Sequence, residues 1–146
     1  MTAIDAKALL SEDVALPSTA TTEYSTDEIF FGAGKDAFGT TLANPDIGMG
    51  EPVFLNIVMT AAGASSGSGT VAMNIVHGAS TAPTTVLLQV CTGQTAAMLV
   101  AGKTFSVALP RPQMLAYMRL QVVTTTAGFE SGTYTAWLSP VPASNV

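Results

Sequence analysis

From Val53 to Met59 every odd position is apolar: Val53, Leu55, Ile57 and Met59. The same two-residue period returns at Val71, Met73 and Ile75, and again at Val86, Leu88 and Val90. Phe105, Val107 and Leu109 alternate with Thr104, Ser106 and Ala108; Met118, Leu120 and Val122 stand opposite Arg119 and Gln121. Successive side chains of a strand point to opposite faces, so a period of two marks a strand with one buried face. Helical periodicity is almost absent. An all-β fold follows.

Turn signals place the strands. The segment Thr22–Phe31 is rich in Thr, Tyr, Ile and Phe and reads as the first strand. Gly32, Gly34 and Gly39 open a long loop, and Asn44-Pro45-Asp46 is a turn. Glu51-Pro52 enters the strand over 53–60, since proline is tolerated at a first strand position. Residues 63–69 form a flexible hairpin loop. Further strands are predicted over 70–77, 86–91, 104–109, 116–124 and 133–138. Seven or eight strands separated by Gly, Pro and Ser/Thr clusters predict an antiparallel β-sandwich, jelly-roll-like. Residues 1–20 read as an irregular N-terminal arm: a weak helical pattern joins Ile4, Leu9 and Leu10, and Pro17 with the Ser/Thr run ends it. A frayed terminus and an extension that grips a neighbour fit the arm equally well. Residues 21–146 are the sandwich domain.

A chain of 146 residues buries roughly two-thirds of its unfolded surface, enough for one domain without a staple. Charged residues make up 10%, against about 25% in a typical soluble domain. The surface is therefore left to Thr, Ser, Ala and Gly, which are cheap to desolvate against a partner. Nine of the ten acidic residues lie at or before Glu51, whereas Lys103, Arg111 and Arg119 come later. This polarity suits docking on a charged partner, and equally suits a more exposed first third. Five basic residues scattered from Lys7 to Arg119 make no phosphate-binding patch, so nucleic-acid binding is not expected. No apolar run approaches the roughly 18 residues of a membrane span, and no secretory pattern stands at the start. The single cysteine, Cys91, excludes an intrachain disulfide and fits folding in a reducing cytoplasm.

Catalytic groups are scarce. His77 is the one histidine, so any Ser-His or Cys-His arrangement must use it. It stands at a strand end before Gly78, a place for a surface polar residue. Cys91 reads as a small buried apolar residue. One His and one Cys make no zinc set, and Asp27, Glu28 and Asp36 lack the spacing of a calcium loop. The run Gly63–Thr70 superficially resembles a phosphate loop, but no lysine follows its glycines and a strand follows rather than a helix. No catalytic residue, metal or cofactor is expected, and the chain is not read as an enzyme.

Two runs carry a resemblance. One is Asp46-Ile47-Gly48-Met49-Gly50-Glu51-Pro52 ahead of the apolar strand; the other is Tyr117-Met118-Arg119-Leu120. Asp5 and Ser11-Glu12-Asp13 precede them, with Ala101-Gly102 and Leu109-Pro110 between and Gly132-Thr133 last. Gly48 and Gly50 permit a tight turn, and Arg119 on a polar strand face suits an acid of the same sheet. In order and spacing the chain resembles the jelly-roll capsid cement (decoration) proteins of tailed bacteriophages, the family typified by the Bordetella phage cement protein. It departs at residues 32–45, longer than the usual linker, and at Arg111-Pro112-Gln113, where the family has a glycine-rich turn.

The resemblance implies a structural protein, made in the host cytoplasm, that binds the outer surface of the capsid in the virion. Its implied partners are the major capsid protein and itself, as a homodimer first and a trimer second. The arm and the loop over 32–50 are the candidate capsid contacts, with Asp5, Lys7, Leu9, Leu10, Glu12, Asp13, Lys35, Asp36, Phe38 and Asp46 as contact residues. The alternative from the residues is a carbohydrate-binding or adhesion sandwich of a virion, a tail-fibre or spike accessory, which requires an exposed aromatic patch.

Overall fold

A computed structural model describes residues 9–31, 52–110 and 115–143. Among these the chain forms nine strands: β1 (Leu9–Ala15), β2 (Thr22–Tyr24), β3 (Ile29–Phe30), β4 (Phe54–Ala64), β5 (Thr70–Gly78), β6 (Thr85–Thr95), β7 (Thr104–Ala108), β8 (Tyr117–Thr125) and β9 (Ser131–Ser139). One sheet runs β1-β9-β4-β7; the other runs β2-β8-β5-β6, with β3 also on β8. Every pairing is antiparallel.

The order has a simple logic. β2 and β3 are two pieces of one edge, since both pair with β8. Counting them together, the first strand pairs with the last, the second with the second-last, and so inward to the β5–β6 hairpin. That is one long antiparallel hairpin rolled over itself, the jelly-roll arrangement. The expected all-β sandwich is the fold.

The alternating residues face inward together. Leu55, Ile57 and Met59 of β4 and Val71, Met73 and Ile75 of β5 are buried in one cluster with Met118, Leu120 and Val122 of β8 and Tyr134 and Ala136 of β9. Phe129 and Leu99 close the cluster from the connections.

The single strand expected over Thr22–Phe31 is divided. Ser25 breaks it: its N–H donates to the Leu120 carbonyl oxygen (2.8 Å), while its Oγ accepts from the Leu120 N–H (3.0 Å) and donates to the Asp27 carbonyl oxygen (2.8 Å). A side chain thus replaces the backbone in the ladder for one residue. The β4–β5 hairpin is tighter than expected, because β4 continues to Ala64. Gly69 closes that turn under the Ala127 carbonyl oxygen, where a Cβ would collide. Ser65 Oγ donates to the Gly128 carbonyl oxygen (2.8 Å) and accepts from the Gly69 N–H (3.1 Å). These glycines serve packing, which removes the likeness to a phosphate loop.

The irregular arm needs correction for its described part. Leu9–Ala15 is a strand on β9, with Leu9 opposite Trp137 and Ala15 opposite Thr133. Its register shifts between Leu9 and Ser11 and between Ser11 and Val14, and Asp13 takes a left-handed φ of 47°. The bulges hide the two-residue period, which is why the segment does not read as a strand. Residues 1–8 lie outside the described part.

Leu10 is fully buried in the core. Leu10→Ala is expected to lower unfolding free energy by about 2–5 kcal/mol in urea titration, a loss that a frayed arm would not produce.

Candidate interaction surface

Each sheet has its outer face partly covered by the chain's own segments. On β4 the even position Asn56 points outward yet is 1% exposed. Its Nδ2 donates to the Val141 carbonyl oxygen (3.0 Å), and its Oδ1 accepts from the Ala143 N–H (2.9 Å) and from Ser106 Oγ (2.7 Å). The segment after β9 is thereby strapped across the sheet. The amide suits this task because it donates and accepts at once.

The other sheet is covered by the β5–β6 connection. Arg119, on the outer face of β8, donates from Nε to the Pro83 carbonyl oxygen (2.7 Å), and its guanidinium carbon lies 3.9 Å from the centre of the Tyr24 ring. Glu28 Oε2 accepts from the Ala82 N–H (2.9 Å). Pro83 is buried beneath, and outward-facing Val76 of β5 is fully buried. Arg119 therefore does not take an acid of its sheet as expected. A planar cation satisfies both a carbonyl and an aromatic face. Beside it, Gln121 Nε2 donates to Tyr24 Oη (3.2 Å) and Gln121 Oε1 accepts from Asn74 Nδ2 (2.7 Å).

Apolar side chains remain exposed at the two ends. Phe30 is 63% exposed and stacks on Tyr117, centroids 4.7 Å apart. Tyr117 pairs with Gly78, so this is one end of β5. Met98 and Val100 are each 52% exposed in the β6–β7 connection. That connection leaves β6 at Thr95, which pairs with Thr70 at the other end of β5. A nine-residue strand separates the ends by about 30 Å.

Of the contact residues expected from sequence, Glu12 and Asp13 are exposed side by side on the β1 bulge. Leu9 is half-buried against β9. Leu10 is corrected from a contact residue to a core residue, because β1 turns it inward. Asp5, Lys7, Lys35, Asp36, Phe38 and Asp46 lie outside the described residues. The exposed Phe30, Met98 and Val100 were not among those expected. Phe30 lies in a strand of two residues, where alternation has no length to show which side faces out.

The reactive groups are quiet. Burial pushes the Cys91 thiol up to about 11. His77 Nδ1 accepts from the Leu115 N–H (3.2 Å), and burial holds its pKa below the usual histidine value. Among the described residues no group of three or more His, Cys, Asp or Glu could hold a metal ion.

Two predictions come from these contacts. Arg119→Lys keeps the charge but loses the fork and the stacking plane; a loss of about 1–3 kcal/mol in chemical denaturation is expected. For His77, the lowered folded pKa means that the unfolded chain takes up its proton first. Stability is therefore full above about 6.5 and falls as pH drops from there toward the folded pKa. The thermal midpoint should fall as pH drops below about 6.5, and His77→Gln should flatten that slope.

Compared with protein-family models, residues 10–138 match the one described as Bbp16. The matched span begins in β1 and ends in β9, and so takes in all nine described strands. No curated protein matches.

Proposed function

Since the chain belongs to the Bbp16 family, a Bordetella phage-type family, we propose that it is a capsid cement protein of a tailed-phage virion. In this reading it binds the outer surface of the shell of major capsid protein and bridges neighbouring capsomers as a homo-oligomer, a dimer first and a trimer second. It acts by binding, with no catalytic step.

One observation carries the bridging role. Besides Val86 of β6 and Val141 after β9, large apolar side chains are exposed at both ends of the sandwich, Phe30 beside Tyr117 at one and Met98 with Val100 at the other. A single copy can thus press on two neighbours about 30 Å apart, the span of its nine-residue β5. The self-covered outer faces keep the sandwich stiff between them. Contacts repeated over a symmetric shell add through effective concentration, so each need only be modest.

A second reading, a carbohydrate-binding module of the virion, draws on the Phe30–Tyr117 stack, since an exposed aromatic face accepts a sugar ring. The two are separable. Cement function predicts that heads lacking the protein release DNA at lower temperature and recover when the purified protein is added back. Heads of equal thermal stability with and without it remove that reading, whereas glycan-array binding lost in Phe30→Ala would establish the second.

A further inference from the structure

The sheet edges differ in how they are guarded. An open edge strand invites pairing with another chain, and proteins blunt it with charge, proline, bulges or shortness. β1 carries Glu12 and Asp13 and is bulged twice. β2 and β3 are three and two residues long, with Glu23 in β2 and Asp27 and Glu28 between them. β6 is long and uncharged, but its register shifts three times. β7, Thr-Phe-Ser-Val-Ala, has neither charge nor proline, and it pairs with β4 in unbroken register from Thr104 to Ala108. Its five residues make a strand of ordinary length.

The hydrogen bonds show which groups of β7 face out. The Leu109 N–H donates to the Val53 carbonyl oxygen, and the Lys103 carbonyl oxygen accepts from the Met59 N–H. In an antiparallel pair the bonded positions alternate, so Phe105 and Val107 also turn toward β4. Ser106 and Ala108 turn their N–H and C=O groups the other way, and both residues are exposed.

We propose that the β7 edge, through the outward backbone groups of Ser106 and Ala108, is where a second copy of this chain adds strand to strand. Charge selects that occupant. The chain carries a net charge of −5, so copies repel wherever their acids meet. The β1 and β2–β3 edges would set carboxylates against carboxylates in any two-fold contact. From Pro52 to Phe129 there is no Asp or Glu, and β7 lies within that stretch, about twenty residues from its end. It is the regular edge on which two copies approach without acids between them. Antiparallel addition about a two-fold is self-complementary and joins the two four-stranded sheets into one. The inference rests on the homo-oligomer proposed above and names its contact.

Sedimentation of the full-length protein tests it. A concentration-dependent rise from 14.9 kDa to about twice that mass is expected. As mass rises, amide exchange at Ser106 and Ala108 should slow at least tenfold, while the Glu12 and Asp13 amides of β1, on the opposite edge of that sheet, keep their rates. Ala108→Pro removes an N–H that does not bond β4, so the fold should stand, with an unchanged circular dichroism spectrum, and the dimer should be lost. Ala108→Lys, which guards the edge with charge, should act alike and covers the case in which the proline variant misfolds. A monomer at about 1 mM overturns the proposal, as does a dimer whose Ser106 and Ala108 amides exchange as fast as in the monomer. Head-binding assays keep the two readings apart. A wild-type monomer that binds heads defeats the edge and leaves cement function standing, and a β7 dimer that ignores heads does the reverse.

Discussion

One layer of apolar side chains, shared between two sheets about 10 Å apart, governs this molecule. The interior strands supply it: β4 and β9 from one side, β5 and β8 from the other. Each fully buried Leu, Ile or Met contributes roughly 1.5–3 kcal/mol, so the layer outweighs any single polar contact. With that layer fixed, outward positions on the same strands are free for other work. Asn56 stands between Leu55 and Ile57 and ties down the segment after β9; Arg119 stands between Met118 and Leu120 and ties down the β5–β6 connection. Alternation thus builds the core on one face and the fastenings on the other.

The core was legible for that reason. A period of two needs only a regular strand with one dry face, and β4, β5, β7 and β8 meet the condition along most of their length. Their ends are less legible: β4 and β6 continue through Ala, Gly and Thr residues that carry no contrast between faces. Ser25 illustrates the reverse case, where a polar side chain enters the backbone ladder and cuts one expected strand into two pieces.

The N-terminal strand and the exposed apolar groups were harder to read. β1 spends two bulges over seven residues, so Leu10 points inward without a partner two positions away to announce it. Phe30, Met98 and Val100 lie in a very short strand and a connection, where no period exists. Arg119 was placed on its face by the alternation of β8, but its carbonyl and ring partners come from Pro83 and Tyr24, 36 and 95 positions away. Only the folded topology brings such groups together.

The rolled-hairpin order also decides when the chain can fold. β9 lies between β1 and β4, and β8 lies between the β2–β3 edge and β5. Both late strands are interior, so a nascent chain ending anywhere before β8 lacks one of the two central strands of each sheet. β1 waits for a partner more than 110 residues downstream, since Leu9 meets Trp137. Folding dominated by such distant pairings is slow, in the millisecond-to-second range. Synthesis at about 5–20 residues per second is slower still, which leaves unpaired apolar strands waiting on the ribosome for seconds. The sandwich therefore closes only once β8 and β9 have emerged, and the apolar faces of the earlier strands stay uncovered until then.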